Sequence, residues 1–129
     1  HLHHFGTGRL SLKKKAIQLS GLMHKHESNL CEVLLEGITD LPLRIIGRDS
    51  MKWREANISL ISEKHSPQQL CESLARNNIA AGYGNFYAIR LLNKLGLMEK
   101  EEGVLRISFA HYNTREEVMR VVTALQDLH

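Results

Sequence analysis

The chain has 129 residues, of which 43% are hydrophobic and 24% charged, and its formal net charge is +3. This is the size and composition of one globular domain with enough apolar residues for a core. No apolar run is long enough to span a bilayer, and neither the small net charge nor any motif indicates a nucleic-acid site. No secretory signal opens the chain, and Cys31 and Cys71 form no close pair, so we expect free thiols and a cytoplasmic location.

Residues 1–10 are interpreted as an N-terminal arm, either the remnant of an expression tag or the end of a preceding large domain. His1, His3 and His4 lie here without a carboxylate or cysteine partner, so they do not predict a metal site. We expect no bound metal anywhere in the chain.

Residues 11–37 have apolar side chains at three- and four-residue steps, which is the period of an amphipathic helix. Ser20 and Gly21 are expected to bend or interrupt it. A turn at 38–42 and a short strand at Leu43–Ile46 follow.

The next segment predicts a strand and a second helix. Ala56–Ile61 has the composition of a strand. Ser66 followed by Pro67 begins a helix, because serine caps the free backbone N–H groups and proline fits the first turn. Asn77 and Asn78 end it, since asparagine tolerates the left-handed conformation.

The segment after this helix is short and rich in glycine. Ile79–Ala81 predicts a very short strand, and Gly82–Asn85 predicts a turn. A third helix is predicted to start near Phe86, with Leu92 on its apolar face and Gly96 at its end.

The last segment is a strand followed by a capped helix. Leu105 and Ile107 alternate with polar residues, which is the period of a half-buried strand. Thr114 and Glu117 form a capping box at the start of the final helix. Arg106 lies on the strand face opposite Leu105, where it either faces water or binds an anion.

These elements predict an α+β fold in which a small, mostly antiparallel sheet has helices packed on one face. The other face, bearing Arg106 and Ser108, is expected to be bare. It would then be a docking surface or simply solvated.

The stretch from Arg106 to Val118, Arg-Ile-Ser-Phe-Ala-His-Tyr-Asn-Thr-Arg-Glu-Glu-Val, resembles the C-terminal signature of class V aminotransferases. These are pyridoxal-phosphate enzymes that include cysteine desulfurases and selenocysteine lyases. The resemblance implies the small domain of a fold-type I enzyme, with an interdomain helix at 11–40 and the small C-terminal domain at 41–129. It also implies a homodimer that acts on an amino acid.

The resemblance assigns roles to several residues. Arg106 would bind the substrate carboxylate through a two-pronged ion pair, and Asn85, Tyr87 and His111 would line the cleft. For Tyr87 a packing role at a helix start, and for His111 a structural role, remain open alternatives. Thr7 matches a threonine that, in such dimers, reaches the cofactor phosphate of the partner subunit.

The cofactor lysine, the phosphate cradle and the aspartate under the pyridine ring belong to a large domain in this family. None of them is identified here, and Lys25, beside His24 and His26, lies too close to the small domain to be the cofactor lysine. We therefore expect pyridoxal phosphate in the full-length enzyme and none on this chain alone.

One substitution departs from the desulfurases. Gly84-Asn85-Phe86-Tyr87-Ala88 stands where they have Gly-His-His-Cys-Ala, so Tyr87 replaces the sulfur-accepting cysteine. The resemblance thus implies a desulfurase-like enzyme without the desulfurase nucleophile. The alternative is a non-catalytic α+β module that dimerises through its bare sheet face.

Overall fold

The computed structural model describes residues 11–98 and 103–129, which form four helices and four strands. In chain order these are α1 (Leu12–Gly37), β1 (Leu43–Ile46), β2 (Asn57–Ser62), α2 (Pro67–Arg76), β3 (Gly82–Gly84), α3 (Ile89–Lys94), β4 (Val104–Ser108) and α4 (Arg115–Gln126).

The strands form one antiparallel sheet in the order β1-β2-β4-β3. In the central pair, Ile58 lies opposite Ile107 and Leu60 opposite Leu105. All four side chains are buried, because side chains at every second position point to the same face. The predicted α+β class with a small antiparallel sheet is therefore confirmed.

The core lies between this face of the sheet and the three longer helices. Helix α1 contributes Leu34, α2 contributes Leu70 and Leu74, and α4 contributes Val118 and Leu125, all fully buried. These residues form the buried faces of α2 and α4.

Helix α1 has two unlike halves. It runs through Ser20 and Gly21 without a break, and Ser11 caps its start by accepting a hydrogen bond from the Lys14 N–H. Its buried residues all lie in the second half, from Leu30 to Leu35. The first half exposes apolar side chains, among them Leu12, Ile17 and Leu22. In the described ranges, no helix is long and apolar enough to cross a membrane.

Two predicted strands are displaced. The second begins at Asn57 and ends at Ser62, one residue later than expected at each end. The third is Gly82–Gly84 rather than Ile79–Ala81, because residues expected to form a turn pair with β4 instead. Pairing with a central strand outweighs the local turn preference of glycine.

We expect Gly37→Ala to lower the free energy of unfolding by about 1–3 kcal/mol. A Cβ at Gly37 would lie 2.6 Å from Cγ2 of Val122 on α4, and a β-branched side chain has little freedom to yield. Urea denaturation followed by circular dichroism measures the change.

Gly21→Ala is the matched control in the same helix. A Cβ there meets nothing within 4 Å, so alanine should raise the free energy of unfolding by about 0.5–1 kcal/mol. Equal effects at the two glycines would contradict the close packing of α1 on α4.

Candidate functional site

Arg106 is the centre of the candidate site. Its neighbours in β4, Leu105 and Ile107, point into the core, so the Arg106 side chain points to the opposite face of the sheet and is exposed. Ser59 lies opposite Arg106 on β2, and Gly82 lies opposite it on β3.

A groove of about 450 Å³ lies on this face, and we call it the Arg106 groove. Its polar lining consists of Asn57, Ser59, Asn85 and Arg106. Helix α3 forms much of its apolar wall. The sheet face is therefore not wholly bare, because α3 and the 85–88 turn share with it the lining of this groove.

The guanidinium of Arg106 stacks on an aromatic ring. Its Cζ atom lies 3.8 Å from the centroid of the Phe86 ring, which is the geometry of a cation–π contact. Among the described residues, no hydrogen-bond acceptor or carboxylate pairs with Arg106. A stacked guanidinium keeps its N–H groups at the edge, where they can bind a carboxylate in two-pronged fashion.

Phe86 is held in place by a tight turn rather than by the helix start predicted there. The Ala88 N–H donates to the Asn85 carbonyl at 2.8 Å, and the Tyr87 N–H donates to Asn85 Oδ1 at 2.9 Å. Phe86 and Tyr87 have φ angles of 47° and 62°, so both adopt the left-handed conformation. Helix α3 begins only at Ile89.

Two large aromatic residues in succession at positive φ are strained. Each costs of order 1 kcal/mol or more, and such strain clusters at functional sites. The turn also begins beside a close backbone approach. A Cβ on Gly103, whose φ is +69°, would collide with the carbonyl of Gly84 and crowd the N–H of Asn85. The start of the turn is therefore fixed against the start of β4.

The turn between β4 and α4 is held by Asn113, which uses its backbone and side chain together. Its side-chain Oδ1 accepts from the Ala110 N–H at 2.9 Å, and its Nδ2 donates to Glu117 at 3.1 Å. Its carbonyl accepts a 2.9 Å hydrogen bond from Nε2 of His26 on α1.

The predicted capping box is present at the start of α4. The Glu117 N–H donates to Thr114 Oγ1, and the Thr114 N–H donates to the Glu117 carboxylate at 2.9 Å. The Thr114 N–H, and next the Asn113 amide, hold the pKa of Glu117 below its usual value.

The structure brings together two of the predicted site residues, Arg106 and Asn85, which line the same groove. Tyr87 is 101% exposed, and neither it nor His111 lines the Arg106 groove. The exposed His111 ring makes a T-shaped contact with Tyr112, with the centroids 5.4 Å apart. Thr7 lies outside the described residues. The roles assigned to these residues stay predictions.

Phe86 is the site residue that the sequence did not single out. No glycine or asparagine at position 86 indicates its left-handed conformation, and its apolar side chain fitted the helical period of the residues that follow. Its contact with Arg106 depends on β3 pairing with β4, which is not encoded locally.

Neither cysteine has the environment of a reactive thiolate. Burial raises the pKa of the Cys31 thiol to about 11, so it is not ionised near neutral pH. Cys71 on α2 is half-buried, and its thiol donates to the carbonyl of Ala81 at 3.3 Å. Within the described ranges, no three histidine, cysteine or acidic residues are grouped to hold a metal ion.

Comparison with known proteins places these features in context. A family model described as aminotransferase class V matches residues 13–121. An aminotransferase-like protein of Gibberella zeae is 33% identical over 107 residues, covering 79% of this chain and 26% of that protein. A cysteine desulfurase of Pectobacterium atrosepticum is 31% identical over 108 residues, covering 83% of this chain and 25% of the relative.

Solved structures show the same similarity. The apo structure of a cysteine desulfurase from Thermococcus onnurineus has a TM-score of 0.77 and 25% identity, over 84% of this chain and 26% of that one. A cysteine desulfurase from Escherichia coli has a TM-score of 0.68 at 24% identity, which shows the shared fold. The chain spans about a quarter of the length of the Gibberella, Pectobacterium and Thermococcus proteins.

We expect Tyr87→Gly to raise the free energy of unfolding by about 0.5–1 kcal/mol. Glycine relieves the strain at φ 62°, and removing a fully exposed side chain loses no burial. The entropy that glycine gains in the unfolded chain offsets part of this benefit. Denaturant unfolding is the measurement.

Tyr112→Gly is the control, because Tyr112 is also exposed but does not have a positive φ. That variant should leave the free energy of unfolding unchanged or lower it. A Tyr87→Gly protein less stable than the Tyr112→Gly protein would mean that the turn is not strained.

Proposed function

The chain belongs to the class V aminotransferase family and is cysteine desulfurase-like, and we propose that it is the small, C-terminal domain of a larger enzyme that acts on an amino acid. The larger enzyme is proposed because the chain spans only about a quarter of the length of the Gibberella and Pectobacterium relatives. The observation that carries the proposal is Arg106, a cation stacked on Phe86 in a groove whose described lining contains no other charge.

Arg106 binds the substrate carboxylate in this proposal. Its N–H groups meet no protein acceptor among the described residues, so they are available for two parallel hydrogen bonds to a carboxylate. Phe86 restricts the guanidinium to one face of its ring, and the fixed plane favours this two-pronged geometry over a loose ion pair.

Pyridoxal phosphate is the cofactor proposed for the full-length enzyme. It requires a lysine amine for its Schiff base and an anion site for its phosphate. The described lining of the Arg106 groove has one guanidinium, amides and a hydroxyl but no lysine, so it does not form a complete cofactor site. The large domain must supply the lysine, and in this proposal the small domain contributes substrate binding.

Helix α1 is proposed as the interdomain helix. Leu12, Ile17 and Leu22 are exposed on its first half, whereas its second half is packed on α4. An apolar face of this kind is normally covered. We propose that the large domain and the second subunit of a homodimer cover this face of α1. Asn85, Tyr87 and His111 would face the cleft that the large domain completes.

Replacing Arg106 by lysine in the full-length enzyme should raise KM for a carboxylate substrate by about 30-fold, which corresponds to about 2 kcal/mol. An ammonium group cannot form the two-pronged pair or the same stacking contact with Phe86. Steady-state kinetics with the amino-acid substrate tests this.

Arg44→Lys is the matched control, since Arg44 is an exposed arginine on the edge strand β1 and does not line the Arg106 groove. Its KM should be that of the wild type. An unchanged KM for Arg106→Lys would show that Arg106 only faces water, and the proposed role would fail.

The full-length protein should catalyse no appreciable persulfide-forming desulfuration of cysteine. That chemistry needs a soft thiolate, whereas the phenol of a tyrosine has an ordinary pKa near 10 and cannot form a persulfide. Cys31 is buried and un-ionised, and Cys71 is hydrogen-bonded on α2. The assay is incubation with cysteine, followed by quantification of alanine and mass spectrometry of the protein.

Tyr87→Cys is the informative companion variant, because it restores the desulfurase residue at an exposed position. A persulfide that forms at position 87, and only in that variant, would support the assignment of this position. Catalytic turnover with a persulfide on Cys31 or Cys71 of the wild type would refute the prediction.

A further inference from the structure

The described lining of the Arg106 groove is charged at one position and mainly apolar elsewhere. Arg106 is the only ionisable residue in its described lining, and it lies at the sheet. The rest of the wall is mainly apolar, with Ile46 from β1, Phe86 from the strained turn, Leu91 and Leu92 from α3, Leu95 directly after α3, and Val104 from β4.

We infer that the Arg106 groove selects a monocarboxylate that carries a large apolar chain. For the proposed enzyme this means an amino acid with a large aliphatic or aromatic side chain; only that step rests on the proposed function. The inference is carried by a guanidinium that meets no hydrogen-bond acceptor among the described residues, next to a wall of leucine, isoleucine, valine and phenylalanine.

The size of the groove supports this selection. A volume of about 450 Å³ is within the range of small-molecule sites and far exceeds a carboxylate group. A ligand that filled only the space next to Arg106 would leave Leu91 and Leu95, which are 55% and 45% exposed, in water. An apolar chain lying along α3 removes this surface from water, which is favourable in proportion to the area covered.

The same lining disfavours a second charge on the part of the ligand that lies against α3, away from Arg106. Apart from Arg106, the described polar lining consists of two asparagines and a serine, which can accept or donate hydrogen bonds but cannot neutralise a charge. A charged group pressed against the leucines of α3 would lose its hydration without an ionic partner.

Titration of the 129-residue chain with simple carboxylates tests the inference without any cofactor. The probes are acetate, butyrate and hexanoate, with glutarate as the dianion and hexan-1-ol as the uncharged chain. Two-dimensional NMR follows the Nε–H signal of Arg106 and the backbone signals of α3. We expect affinity to rise about threefold for each added methylene. Glutarate and hexan-1-ol should bind at least about tenfold more weakly than hexanoate.

Variants separate the two parts of the groove. Leu95→Ser should weaken the binding of hexanoate several-fold and leave the binding of acetate unchanged. Leu91→Ser provides a second test on the same wall. Leu22→Ser, at a similarly exposed leucine on α1, should change the affinity for neither hexanoate nor acetate. Arg106→Gln should abolish the preference for hexanoate over hexan-1-ol.

The outcomes distinguish this inference from the proposed function. If acetate and hexanoate bound at Arg106 with equal affinity, the selectivity would be overturned, but the carboxylate role of Arg106 would remain supported. If no carboxylate shifted the Arg106 signal, both the selectivity and the carboxylate role of Arg106 would be overturned. Hexanoate shifts confined to the exposed leucines of α1 would also overturn the inference, because they would show non-specific apolar binding.

Discussion

The geometry of the domain depends on the hydrogen bonds of Asn113. This residue closes the turn after β4 with its side-chain oxygen, supports Glu117 at the start of α4 with its side-chain nitrogen, and accepts from His26 of α1 with its carbonyl. One residue thus joins the turn after β4 to helices α1 and α4. A residue lacking the side-chain acceptor would leave the Ala110 N–H without this partner, and one lacking the side-chain donor would remove one of the two hydrogen bonds to the Glu117 carboxylate.

A second series of contacts places Arg106. The close approach of Gly103 to Gly84 fixes the start of the Asn85–Ala88 turn, and that turn holds Phe86 in a left-handed conformation. A Cβ on Gly82 would lie 3.4 Å from the Phe86 ring, which is about van der Waals contact, so the ring lies close to Gly82. Close packing and the hydrogen bonds of Asn85 together present the guanidinium with one face covered by Phe86 and its edge available. The strain in the turn is the cost of that arrangement.

Features encoded by neighbouring residues could be predicted from the sequence, whereas features created by distant ones could not. Leu105 and Ile107 alternate within one strand, and Thr114 and Glu117 are three residues apart, so β4 and the cap of α4 follow from local rules. The strand Gly82–Gly84 exists only because it pairs with β4, and glycines alone indicate a turn. For the same reason the side of Arg106 was predictable from the period of the strand, but its contact with Phe86 was not.

The order of the elements along the chain also affects when the domain can fold. The central strand β4 and the helix α4 are the last elements of the described chain, yet the buried half of α1, near its beginning, packs on α4. Until residues beyond 104 have left the ribosome, β2 has no neighbour on one side, and Leu34 has no α4 to cover it. While this segment is synthesised, it therefore exposes apolar side chains and an open strand edge until β4 and α4 emerge, and chaperones bind such surfaces.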